Sequence, residues 1–98
     1  MNKKIVIIGA SGHGKVIADI AKLNGYKEIM FLDDDTSKRN CGRYPVMGTS
    51  KDIRHYKDNH DFIIAIGNNR VREKISGMLE KENVKQTVLI HPSAVIDE

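Results

Sequence analysis

Apolar residues fall into short runs separated by polar, glycine-bearing stretches, and their spacing alternates between strand-like and helix-like. Lys4-Ile5-Val6-Ile7-Ile8 is an apolar run of strand length, and Gly9-Ala10-Ser11-Gly12-His13-Gly14-Lys15-Val16 carries it through three glycines into a helical pattern. That helix is predicted over about 12–24. Ser11 is available as its cap, Gly25 as its left-handed stop, and Val16, Ile20 and Leu23 as the series that packs it on a sheet. Glu28 to Leu32 reads as a second strand, ending in Asp33-Asp34-Asp35. A polar stretch with Gly42 follows. Then comes the short strand Tyr44-Pro45-Val46-Met47-Gly48, whose proline places it early in a strand or at a sheet edge. Thr49 or Ser50 caps a short helix reaching about Lys57, with Ile53 and Tyr56 inward.

The run Asp61-Phe62-Ile63-Ile64-Ala65-Ile66-Gly67 is apolar on both faces of the pleat, as a central parallel strand covered by helices must be. Gly67-Asn68-Asn69-Arg70 makes a second strand-to-helix turn, and Val71, Ile75, Met78 and Leu79 form one apolar helix face, slightly weakened by Gly77. Val88-Leu89-Ile90 reads as a final strand. Strands alternating with helices require parallel pairing and right-handed crossovers. The fold class is therefore α/β, a small Rossmann-like doubly wound sheet of about five mostly parallel strands, with spatial order 3-2-1-4-5 expected.

In that order the first and fourth strands lie side by side where the winding reverses, so both glycine turns meet at one crevice. A helix N-terminus carries free N–H groups and partial positive charge, and glycines let a diphosphate approach the backbone. The turn thus points to a nucleotide, with a tight turn that binds nothing as the plain alternative. The spacing is Gly9-x-x-Gly12-x-Gly14 rather than the dinucleotide G-x-G-x-x-G. Gly9, Gly14 and Lys15 fit a P-loop, but Val16 stands where a Mg²⁺-holding hydroxyl belongs. The acids Asp33 to Asp35 sit at the interval from which a Rossmann acid reaches a ribose hydroxyl, and local turn capping competes for each of them. Asn68 and Asn69 offer amides to a base or sugar, and Arg70 a cation to an anion, against a helix-capping role for the asparagines.

The chain's 98 residues allow one domain with a modest core, and 40% apolar and 30% charged residues mark it as globular. Its net charge of +3 is spread among acids, which does not indicate a nucleic-acid groove. Cys41 is the sole cysteine, so no internal disulfide is available, and no apolar run has the length of a membrane span. A cytoplasmic protein is expected. His13, His55, His60, His91 and Cys41 show no metal-ligand spacing, so no metal is expected, and His55 and His60, flanking a polar helix end, are expected to be exposed.

Four ordered motifs resemble the N-terminal domain of the PglD/NeuD-type sugar acetyltransferases: the turn Gly9 to Val16, Phe31-Leu32-Asp33-Asp34-Asp35, Ala65-Ile66-Gly67-Asn68-Asn69, and Ile90-His91-Pro92-Ser93-Ala94. The resemblance implies a domain over 1–90 that holds a nucleotide-linked amino sugar, usually UDP-linked. It also implies a left-handed β-helix of hexapeptide repeats that binds acetyl-CoA and forms a homotrimer. Ile90, Ala94 and Ile96 fit one such repeat, so 91–98 is expected to be the start of a truncated β-helix.

The family's general base is a β-helix histidine, to which no residue here corresponds. The chain alone is accordingly expected to be a monomer that binds but does not transfer acetyl groups. The binding residues implied are Ala10, Ser11, Gly12, His13, Gly14 and Lys15 around the diphosphate, Asp33, Asp34 and Asp35 toward the uridine or ribose, and Gly67, Asn68 and Asn69 on the other side. His13 would orient the acceptor or sit in solvent, and His91 would lie at the domain junction. An NAD(P)-binding oxidoreductase domain and a non-catalytic nucleotide sensor share the glycine turn, but hydride transfer needs a substrate domain that this length hardly supplies.

Overall fold

The structure, a computed structural model, describes residues 3–90. The chain forms β1 (Lys4–Ile8), α1 (Gly12–Leu23), β2 (Glu28–Leu32), β3 (Asn40–Cys41) and β4 (Tyr44–Gly48). A 3₁₀ turn (Ser50–Asp52) then runs into α2 (Ile53–Tyr56), followed by β5 (Asp61–Ile64) and α3 (Asn69–Lys81). The five strands lie in the order β3-β4-β2-β1-β5. β1 pairs in parallel with β2 and β5, and β2 in parallel with β4. β3 alone runs antiparallel, on β4.

The pleat divides the apolar runs between two cores. Ile5 and Ile7 of β1 join Ile29, Phe31, Ala18 and Ala21 under α1, whereas Val6 and Ile8 join Phe62, Ile64, Ile53, Ile75 and Leu79 under α2 and α3. β1 is thus apolar on both faces because both are covered, as parallel sheets require. Each large side chain removed from water, Phe31 and Phe62 among them, contributes about 1.5–3 kcal/mol.

The α/β class, the mostly parallel sheet and the order of its four parallel strands are as the sequence leads one to expect. Three details differ. First, Val88-Leu89-Ile90 is not a strand, and the fifth strand is β3 instead. Only Gln86 bridges to Phe62, the Gln86 side chain accepts the Ile64 N–H, and Thr87 donates to the Phe62 carbonyl. Those bonds occupy the β5 edge before residue 88. The chain then leaves for the end of α1, where the Asn24 amide bonds both the carbonyl and the N–H of Ile90 at 2.9 and 3.1 Å.

Second, α1 packs on the sheet through Gly14, Ala18 and Ala21, with Ile17 beside them, while Val16 and Leu23 are exposed and Ile20 is half-buried. The helix lies so close to the sheet that a β-carbon on Gly14 would stand 2.1 Å from the Gly9 carbonyl oxygen and 2.9 Å from the Phe31 ring. At Gly14 the fold leaves no room for a side chain. Third, His60 is half-buried, its ring set edge-on to Tyr56 at 5.3 Å, whereas His55 is exposed as expected. The start of a β-helix expected over 91–98, and His91 within it, lie outside the described residues.

Candidate functional site

Both glycine turns arrive at the carboxyl edge of the sheet. Gly9 follows β1 and Gly67 follows β5, and the two strand ends are joined by the Ala65 N–H donating to the Ile8 carbonyl at 2.8 Å. Gly9 has φ +120° and its absent β-carbon would lie 2.5 Å from the Ala65 carbonyl oxygen, so this position tolerates only glycine. A cavity of about 290 Å³ opens between the turns, lined by Ile8, Gly9, Ser11, Asp33, Asp34, Ala65, Ile66, Gly67, Val71 and Ile75.

α1 and α3 both begin at this edge, and neither has an acidic residue in its first turn. Their partial positive charge is therefore not offset by acids of the helices themselves, which favours an anion at the first turns, with the Asp33 carboxylate one residue upstream at the Ala10 N–H. Ser11 occupies the N-cap position of α1 without using its hydroxyl as a cap. Gly12 and Gly67 have no left-handed backbone, and a β-carbon at either would meet no atom within 4 Å. Packing explains Gly9 and Gly14. It leaves Gly12 and Gly67 open to an approaching ligand.

The three acids have separate local duties. Asp33 accepts from the Ala10 N–H and the Asp35 N–H, both at 2.8 Å, and lies 3.5 Å from the Lys38 ammonium. Lys38 also donates to the Ala10 carbonyl at 2.9 Å, so both polar backbone groups of Ala10 are held. This carboxylate-ammonium pair ties the glycine turn to the loop after β2. Sequence reasoning missed Lys38, because 28 positions separate it from Ala10 and only the folded loop brings them together. Asp34 accepts from the Ser50 N–H at 2.8 Å and the Ser50 hydroxyl at 3.1 Å. Asp35 caps Ser37 through its backbone and hydroxyl, and these bonds, the hydroxyl first, hold its pKa below the usual carboxylate value.

Of the expected binding residues, Ser11, Asp33, Asp34 and Gly67 share the cavity wall. Gly14 is buried beneath the turn, and His13 is exposed. The Lys15 stem packs near Gly42, on the hairpin between β3 and β4. Asn68 caps α3 by accepting from the Val71 N–H at 3.1 Å, and Asn69 accepts from the Arg72 guanidinium. Capping is what the Asn68 side chain does in this structure, and the Asn69 side chain bonds along its own helix. Of the apolar face read from the sequence on α3, Ile75 is buried in the core and also backs the cavity, whereas Val71, 42% exposed, forms an apolar part of the cavity wall. Among the described residues no group of three metal-ligating side chains gathers, and no helix is long and apolar enough to cross a membrane.

A Rossmann-like sheet with a glycine-lined crevice at its switch point defines an α/β domain of the doubly wound class, in which ligands sit at the carboxyl ends of the strands. The chain belongs to the PglD N-terminal domain family, which it matches over residues 4–79. It is 31% identical over 98% of its length to UDP-N-acetylbacillosamine N-acetyltransferase of Bacillus subtilis, covering 46% of that protein. It superposes on the acetyltransferase domain of PglB from Neisseria gonorrhoeae with TM-score 0.82 and 41% identity, covering 93% of this chain and 45% of that one. PerB from Caulobacter crescentus, solved in complex with CoA and GDP-perosamine, superposes with TM-score 0.79 at 27% identity, covering 92% of this chain and 43% of that one. The chain thus spans about half the length of these relatives.

Proposed function

We propose that this chain is the nucleotide-sugar-holding part of an acetyl-CoA-dependent sugar N-acetyltransferase. The observation that carries the reading is the crevice between the two glycine turns, walled by Ser11, Asp33, Asp34 and Gly67 beside the first residue of α1, Gly12; neither Gly12 nor Gly67 would set a β-carbon within 4 Å of another atom. In the proposed complex the amides at the start of α1 hold the diphosphate, with the Ser11 hydroxyl beside them. Asp33 and Asp34 still have unused lone pairs for ribose hydroxyls, since each of their oxygens accepts one bond. A UDP-linked amino sugar is the expected ligand; the GDP-perosamine bound by the Caulobacter relative makes guanosine the other candidate.

Domain 1–90 is the binding unit in this reading, and 91–98 the first residues of a hexapeptide β-helix. The catalytic histidine, the acetyl-CoA site and the trimer contacts belong to that further part. Acetyl transfer needs a base within hydrogen-bond reach of the acceptor amine and a donor held beside it. Residues 1–98 taken by themselves are in this reading a monomeric binder without turnover, and the enzyme to which they contribute works in the cytoplasm on the synthesis of surface glycans. Calorimetry of the purified chain with UDP and GDP tests the binding half: saturable heat supports the reading, and none refutes it. Incubation with acetyl-CoA and a UDP-amino sugar tests the other half, where turnover by this chain alone contradicts it.

A further inference from the structure

Between α2 and the last turns of α3 lies a hollow of about 290 Å³, walled by Lys51, Ile53, Arg54, Met78, Lys81 and Glu82. It sits at the opposite end of α3 from the crevice, which that helix meets at Val71 and Ile75. Ile53 is buried and Met78 half-buried, and the two make an apolar floor. Lys51 and Arg54 are exposed on the α2 wall, and Lys81 on the α3 wall. None of these three cations has an ion-pair or hydrogen-bond partner for its side chain among the described residues. The acids beside them are engaged elsewhere: Glu82 pairs with Lys57 at 3.0 Å, and Asp52 accepts from the Thr49 N–H at 2.9 Å and lies 3.7 Å from His55. The three cations match the chain's whole net charge of +3, so folding gathers at one groove an excess that the sequence scatters.

We propose that this groove docks a short acidic segment of a partner protein, with carboxylates for Lys51, Arg54 and Lys81 and an apolar side chain for the floor of Ile53 and Met78. The inference is independent of the nucleotide reading, since it concerns the other end of α3. Cations gathered without counter-charge repel one another, and an anionic partner removes that repulsion. The form of the groove selects the class of partner. A peptide laid between two helices reaches the cations of both walls and the apolar floor at once. A bilayer is too flat to reach that floor, and none of the exposed large apolar side chains among the described residues lines the hollow for insertion. A single-stranded nucleic acid would stack its bases on aromatic rings, and no aromatic residue lines the hollow.

The test titrates the purified chain, by NMR and fluorescence anisotropy, with a labelled peptide of about twelve residues that carries Glu on one helical face and Leu on the other. The same peptide with Lys in place of Glu, phosphatidylglycerol vesicles and an oligothymidylate are titrated alongside. The acidic peptide should shift the amides of Lys51 to Arg54 and of Met78 to Glu82, and weaken as salt rises. Reversing two charges together, Arg54→Glu with Lys81→Glu, should weaken it by about tenfold, and the Lys peptide should then prefer the reversed variant to wild type. Both side chains are exposed, so this variant should melt as wild type does; the neutral pair Arg54→Gln with Lys81→Gln should fall between the two in affinity. Equal binding of the Glu and Lys peptides to wild type, unchanged affinity in the reversed variant, or no binding of the acidic peptide overturns the inference, as does tighter binding of the vesicles or the oligothymidylate at this groove. None of these outcomes bears on the nucleotide reading, which the UDP titration decides separately.

Discussion

Replacing Gly14 with alanine places one methyl group where the fold has no room for it. The new β-carbon would lie 2.1 Å from the Gly9 carbonyl oxygen and 2.9 Å from Phe31 Cε1, and Phe31 is fully buried. Neither neighbour is a flexible tip. Relief requires α1 to lift off the sheet by about 1 Å, which loosens Ala18 and Ala21 as well. Overpacking of this kind costs about 1–3 kcal/mol, and alanine's better helix propensity returns about 0.5–1 kcal/mol.

With backbone rather than side chain as the obstacle, the net loss should be about 2 kcal/mol, or a fall in Tm of roughly 8–16 °C for a domain of this size. Gly12→Ala is the matched control, two positions earlier in the same helix with nothing within 4 Å of its β-carbon. It should stay within about 0.5 kcal/mol of wild type. Urea unfolding of the two variants reads the difference. A Gly14→Ala protein as stable as wild type, or a Gly12→Ala protein as damaged as Gly14→Ala, refutes the packing argument.

Three other perturbations follow from named contacts. Lys38→Met removes the bond to the Ala10 carbonyl and leaves Asp33 without its cation; stability should drop by about 1 kcal/mol and UDP affinity more than stability, with Lys38→Arg restoring part of both. Unchanged calorimetric affinity in the methionine variant would argue against a role for the pair beside the ligand. Asn24→Ala should speed hydrogen exchange at the Ile90 amide while leaving β1 amides protected, since the Asn24 side chain bonds both backbone groups of Ile90. Burial, the largest cause, pulls the His60 pKa below 6.5. The unfolded chain then binds that proton more readily, so the His60 contribution is complete above about pH 6.5 and is lost as pH falls through the folded-state value. His60→Gln should lose less stability than wild type between about pH 7 and 5, and an identical decline in both proteins contradicts this.

The elements with long apolar runs were legible because burial on both faces leaves a continuous signature, as in Ile5 to Ile8 and Phe62 to Ala65. What escaped the sequence depends on distance between elements. Val16, Ile20 and Leu23 carry a correct helical period, yet the close approach set by Gly14 turns the small residues inward instead. β3 is a polar pair whose signal was the two-residue loop Gly42-Arg43, with Gly42 at φ +61° between Cys41 and Tyr44. Val88 to Ile90 has strand composition, but the Gln86 side chain and Thr87 had already taken the β5 edge. At the site, the glycine turns and Asp33-Asp34 could be found from spacing. Lys38 could not, since only the folded loop brings it to Ala10 across 28 positions.

The central claim is that the crevice between the two glycine turns holds a nucleotide diphosphate. An NMR titration of the purified chain with UDP, GDP and NADH side by side, repeated with Gly12→Val, tests it most directly. The account predicts that UDP or GDP shifts the amides of Ser11, Gly12, His13, Gly14 and Gly67, and that the valine variant stays folded but loses the shifts. Binding of NADH alone, or a folded Gly12→Val protein with unchanged UDP affinity, contradicts it.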